Sequence, residues 1–229
     1  MTRFPLRAGA LACCALAIAA CGSSSSSGNG EASKSANQIL SDAVSAAQGA
    51  SSVRVSGSIT DNGQPVSVDL KLVNRKGGSG SMTIQGAPVQ IVDVNNTLYM
   101  NGSDAFWNKV GGGSAVVALL HGKWLKAPAT GNFSSLASLT SIHALFSQLL
   151  KSHGTLTKGS TKTVNGQSAI AITDTAKSGT IYVATTGKPY PLQLTKSGSG
   201  GGAVNFSQYG QAVSLSAPAN SIDISKLHG

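Results

Sequence analysis

Ser52-Val53-Arg54-Val55-Ser56-Gly57-Ser58-Ile59-Thr60-Asp61-Asn62-Gly63-Gln64-Pro65-Val66-Ser67-Val68-Asp69-Leu70-Lys71-Leu72 carries the period that decides the fold. Val53, Val55 and Ile59 alternate with Arg54, Ser56 and Ser58, with Gly57 interrupting, and Val66, Val68, Leu70 and Leu72 alternate again beyond Asp61-Asn62-Gly63. A side-chain period of two puts the apolar residues of both runs on one face of a sheet, and Asp-Asn-Gly supplies the backbone conformations of a tight turn. The stretch predicts an antiparallel hairpin with one apolar face.

Further along the chain the same reasoning predicts strands near 80–85, 88–94 and 97–101, with Asn95-Asn96 as a tight turn, and a short strand at 121–126. Between 133 and 150 the period becomes helical. Leu136, Leu139, Ile142, Leu145, Phe146, Leu149 and Leu150 form a wide apolar stripe, with Ser, His143 and Gln148 opposite, so one amphipathic helix is expected to cover something apolar. Strands resume at 154–162, 167–174, 178–185, 191–196 and 203–209, with a last piece near 213–215, and Asn165-Gly166 and the run 198–202 are turn material. Towards the N-terminus, Ile39, Leu40, Ala43, Val44 and Ala47 recur at helical spacing over 37–48, behind Asn37 as a cap and ahead of Gly49. The order is one helix, a strand meander, a helical region and a second meander. Only 11% of residues are charged, and the chain is crowded with Gly, Ser, Thr and Val, which favours strands and turns. The fold class is therefore α+β, mainly β.

The N-terminal residues read as an export address. Arg3 and Arg7 precede an apolar run from Ala8 to Ala20, shorter than the roughly 20 residues that span a bilayer, and Ile18-Ala19-Ala20-Cys21 ends it. Residues 1–20 are expected to be a signal peptide. The last four residues match the bacterial lipobox, in which the cysteine is acylated and becomes the first residue of the mature protein, so Cys21 is the expected lipid anchor. An ordinary secretory signal cleaved after Ala20 is the alternative. Residues 21–35 are then the lipidated N-terminus and a flexible Ser/Gly tether, and 36–229 a single domain. Cys13 and Cys14 leave with the signal and Cys21 is acylated. The mature domain thus has no thiol for disulfides, nucleophilic catalysis or metal ligation.

The chain's formal charge of +9 falls to +7 once Arg3 and Arg7 are removed, and the remaining basic residues are scattered without interleaved aromatics. That argues against nucleic acid as a partner and is consistent with a solvated basic surface or with attraction to anionic envelope lipids. The chain contains no H-E-x-x-H, G-x-S-x-G or Walker-type motif. Its eight acidic residues sit mostly beside turns, with Asp61 and Asp69 flanking one and Asp93 another, and His121, His143, His153 and His228 read as surface or loop residues. No metal and no cofactor is expected. Gly111-Gly112-Gly113-Ser114 reads as a mobile loop entering a short apolar segment, and Phe106-Trp107 and Trp124 as strand aromatics that fill the core or line a cavity.

Five segments in order carry a resemblance. They are Ser52-Val53-Arg54-Val55-Ser56-Gly57-Ser58; Leu98-Tyr99-Met100; Gly122-Lys123-Trp124-Leu125-Lys126; Thr180-Ile181-Tyr182-Val183 leading to Gly187-Lys188-Pro189-Tyr190-Pro191; and Val204-Asn205-Phe206-Ser207-Gln208-Tyr209-Gly210 ahead of Ala217-Pro218. Together with the lipobox, this sequence resembles the LppX/LprG lipoproteins of actinobacteria, within the wider LolA/LolB-like group of lipid carriers. The resemblance implies a strongly curved antiparallel sheet, a half-open barrel, whose concave face is covered by helices, and a cavity between them that holds acylated lipid or glycolipid. Expected on this basis is a monomeric lipoprotein of the cell membrane, anchored on the extracytoplasmic face, with Leu136, Leu139, Ile142, Leu145, Phe146 and Leu149 as candidate cavity residues. Two alternatives are a non-enzymatic interaction or sensor module of the same fold and, further off, a hydrolase whose site is assembled only in space.

Overall fold

The quoted alternation forms strands β1 (Ser52–Asp61) and β2 (Gln64–Val73), paired in unbroken register from Ser52 opposite Val73 to Asp61 opposite Gln64. The computed structural model describes residues 28–61, 63–198 and 200–224. The first meander continues through β3 (Gly77–Ile84), β4 (Ala87–Val94), β5 (Thr97–Gly102) and β6 (Leu125–Pro128). The second is β7 (Leu156–Val164), β8 (Gln167–Asp174), β9 (Gly179–Ala184), β10 (Pro191–Lys196) and β11 (Gly202–Ser207). Asn95 and Asn96 have φ of 54° and 59°, and Asn165 and Gly166 have 50° and 80°, the left-handed pairs that two-residue hairpins require.

One sheet contains both meanders because β1 pairs with β2 on one side and with β11 on the other, from Arg54 opposite Ser207 to Ile59 opposite Gly202. The order is β12-β6-β5-β4-β3-β2-β1-β11-β10-β9-β8-β7, where β12 (Ile222–Asp223) lies parallel to β6 and every other pair is antiparallel. The sheet is large, curved and unclosed. Two glycines let its centre curl. At Gly57 (φ 148°) a Cβ would stand 2.1 Å from the Ala203 carbonyl oxygen, and at Gly80 (φ 153°) 2.0 Å from that of Asp69. Only residues without a side chain allow neighbouring strands so close, which is why Gly57 breaks the alternation of β1.

Helices cover the concave face. In α1 (Ala36–Gln48) the expected stripe of Ile39, Leu40, Ala43, Val44 and Ala47 is buried. Its cap is Ser35 rather than Asn37: the Ser35 hydroxyl accepts from Gln38 N, while Ser35 N donates to Gln38 Oε1. Between β5 and β6 lie α2 (Asp104–Lys109) and α3 (Ser114–Leu120), so the segment after Gly113 is helical. Phe106 and Trp107 sit on α2 rather than on a strand and are buried, their rings edge to face at 4.9 Å. Residues 121–124 form a turn, and the strand expected from 121 begins only at Leu125. Residues 213–215 join no ladder.

The single helix expected over 133–150 is divided. After α4 (Ser134–Ser138) the chain breaks at Leu139-Thr140-Ser141, and α5 (Ile142–Lys151) starts afresh with the Ser141 side chain accepting from Ala144 N at 3.2 Å. Thr140 is fully buried, with its Oγ1 2.6 Å from both Asp93 Oδ2 and the Ala137 carbonyl oxygen. Hydroxyl side chains offer the backbone partners outside the helix, and two in succession stop it.

The expected signal 1–20, Cys21 and residues 22–27 of the expected tether lie outside the described residues. The tether's last part, 28–35, is docked on the domain. Asn29 N donates to the Thr185 carbonyl, and Asn29 Nδ2 to those of Ala184 and Gly187. Glu31 is buried, Lys34 bridges Glu31 and Asp42 at 2.7 Å each, and Lys158 Nζ donates to the carbonyls of Ala32 and Lys34. A segment poor in apolar residues is held here by polar contacts, to which composition is blind.

Candidate functional site

On α5, Ile142 and Phe146 form one row, four residues apart, that points into the core, where Phe146 packs against Phe206 with ring centroids 5.1 Å apart. Leu145 and Leu149 form the adjacent row. Half-buried, they face an apolar chamber of about 290 Å³ together with Leu139 from the helix break. The rest of its wall comes from the alternating residues of β1, β2 and β3 (Val55, Val66, Val68 and Met82 among them) and from β10 and β11. Of the six candidate positions, Leu139, Leu145 and Leu149 line this chamber, Ile142 and Phe146 are sealed in the core, and Leu136 packs half-buried against the core. Leu150 is 41% exposed and belongs to neither group.

A second chamber of about 430 Å³ adjoins the first, and Leu149 and Leu194 line both. Leu40 of α1, Leu156, Ile172 and Ile181 complete its apolar wall, while Ser152, His153, Asp174, Lys177, Thr195 and Lys196 gather at one rim. Asp174 Oδ1 accepts from the backbone N–H groups of Ala176 and Lys177, and Oδ2 from that of Gly154. These bonds, that of Gly154 foremost, hold its carboxyl below the usual carboxylate range. The Lys177 ammonium donates to the Ser152 carbonyl. The second chamber's wall was not singled out in the sequence. Alternation indicates which strand residues share a face, but not that helices leave part of that face uncovered.

Elsewhere, Asp104 and His121 pair at 2.9 Å on an exposed surface, and no hydroxyl is bonded to the ring among the described residues. Also among the described residues, no group of three His, Cys, Asp or Glu side chains converges as metal ligands would. No helix there is long and apolar enough to cross a membrane. Tyr190 stacks on Tyr209 with centroids 4.0 Å apart, and the Tyr209 hydroxyl donates to the Pro191 carbonyl, which ties the end of the second meander to the loop before β10.

No family model and no curated protein matches the sequence. Solved structures do match it. Lipoprotein LppX of Mycobacterium tuberculosis superposes with a TM-score of 0.53 at 17% identity, over 79% of this chain and 98% of that one. LprF of Mycobacterium bovis does so with a TM-score of 0.51 at 16% identity, over 81% of this chain and 97% of that one. The chain has the LppX-type fold. In this LppX-type sheet the two chambers lie between the concave face and the helices α1 and α5.

Proposed function

We propose that the protein is a lipoprotein of the cell envelope, tethered through acylated Cys21 to the extracytoplasmic face of the membrane, that holds the acyl chains of a lipid or glycolipid non-covalently between sheet and helices. The observation that supports this reading is the first chamber, whose lining is made wholly of apolar side chains and lies beside the buried core. Removing an acyl chain from water contributes about 0.8 kcal/mol per methylene, so affinity arises without a catalytic or strongly polar site. Catalysis is no part of this reading, and the protein acts as a monomer. A second reading, a module that docks a partner, draws on Val110, Val116 and Leu119, which stand exposed around α2 and α3.

Leu145→Trp separates a ligand cavity from a slack core. The added ring takes up space in the chamber, so lipid loading should fall sharply while stability drops by less than about 1 kcal/mol, whereas overpacking a filled core costs about 1–3 kcal/mol. A large loss in melting temperature with loading unchanged would mean that α5 merely closes a core.

A further inference from the structure

The two chambers differ in polarity. The first has no polar side chain in its lining, whereas the second carries polar groups at one rim, where β8 and β10 end and α5 gives way to β7. The rim is positive on balance, with the two ammonium groups of Lys177 and Lys196 against the one carboxylate of Asp174. Asp174 supplies the single carboxylate, and three backbone N–H groups already occupy it. Lys177 spends one of its three ammonium protons on the Ser152 carbonyl, and the Lys196 ammonium, which stands beside Gly200 in the turn between β10 and β11, has no hydrogen-bond acceptor among the described residues. Volumes of about 430 and 290 Å³ joined along Leu149 and Leu194 fall, taken together, within the roughly 300–1,000 Å³ of pockets that hold one small ligand.

We infer that the ligand is a single-chain amphiphile with an anionic head group, a carboxylate or a phosphate. The head lies at Lys196 and Lys177, and the chain runs past Leu149 and Leu194 into the apolar chamber beneath Leu145. This deepens the lipid-binding reading and rests on it. The geometry gives each half of the ligand its own determinant. Charge at the rim selects the head, because a desolvated anion needs donors and a hydroxyl or ester gains little from an ammonium. The volume of the apolar chamber, about 290 Å³, limits the chain.

The test uses residues 21–229 carrying Cys21→Ser, titrated by calorimetry at low salt with dodecanoate, dodecyl phosphate and dodecanol, which share one chain and differ in head group. One or both anions should bind about tenfold or more tighter than dodecanol, the effect of one charge-assisted hydrogen bond, and the tighter of the two identifies the head. Lys196→Gln should cut that ratio to about threefold or less. An unchanged melting temperature without ligand shows that the variant is folded. Leu145→Trp should weaken hexadecanoate far more than octanoate. Equal binding of the anions and dodecanol, or a ratio indifferent to Lys196→Gln, overturns the head-group assignment while leaving lipid binding intact. Equal losses for the long and short chains overturn the placement of the tail. Failure of all these amphiphiles, and of diacyl phospholipid, to bind would remove the lipid-binding reading itself.

Discussion

Thr140 Oγ1 has two oxygen neighbours at 2.6 Å, the Asp93 carboxyl and the Ala137 carbonyl, and a hydroxyl carries one proton. Both contacts are hydrogen bonds if the Asp93 carboxyl carries a proton of its own, donated to Thr140, which in turn donates to Ala137. Burial pushes Asp93 in that direction, above its usual range, and outweighs the bond from Thr140 that opposes it. A group raised in the folded state binds its proton more tightly there than in the unfolded chain. Its contribution to stability is complete below the usual carboxylate range and is lost as pH rises through the raised value. Asp93→Asn supplies a permanent amide donor to Thr140, so the variant should match the parent at low pH and equal or exceed it at neutral pH. Denaturant midpoints at several pH values measure this, and parallel pH profiles for the two proteins would rule out a protonated Asp93. Nothing in the sequence marks this pair, since Asp93 reads as a turn residue and its partner arrives from 47 positions away through an interrupted helix. By contrast, the buried positions of α1 are all in the sequence pattern, because a helix repeats its core face every three or four residues.

Strands joined by tight turns were legible because each hairpin writes its own period and its own turn residues locally, as around Asn95-Asn96 and Asn165-Gly166. What was hidden is non-local or short. The pairing of β1 with β11 joins Arg54 to Ser207, β12 has two residues, and α2 and α3 span six and seven, less than two full turns. The docked segment 28–35 was hidden for another reason, since its anchors are single polar side chains. It supplies the Ser35 cap of α1, the Lys34 bridge to Glu31 and Asp42, and the Asn29 bonds to the last residue of β9 and to the chain beyond it. A chain beginning at Ala36 should therefore be less stable than one beginning at Gly28 by about 1–3 kcal/mol, of which Ser35→Ala alone should account for about 1 kcal/mol. Equal denaturation midpoints for the two chains would show that the segment only rests on the surface.

A sheet that does not close needs its concave face covered, and α1 and α5, at 13 and 10 residues, cover it incompletely. The break at Thr140 sharpens this. It leaves Leu139 37% exposed at the chamber wall, where a continuous helix would have carried its stripe onward. The sequence conveyed the sheet and the presence of a covering helix. The uncovered remainder depends on where α5 begins, which the hydroxyl pair Thr140-Ser141 decides. In the lipid-carrier reading that remainder is the binding site, and it should not stay empty in a cell rich in acyl chains, whose transfer from water is favourable. The most direct measurement is native mass spectrometry of residues 21–229 carrying Cys21→Ser, expressed in a bacterium with ordinary membranes, followed by organic extraction and a thermal melt with added lipid. Lipid carriage predicts a monomer with bound acyl species, and a stability gain of about 2.7 kcal/mol when lipid is present at a hundredfold excess over its dissociation constant. A protein that emerges free of lipid, and whose melting temperature moves with neither phospholipid nor glycolipid, would contradict it.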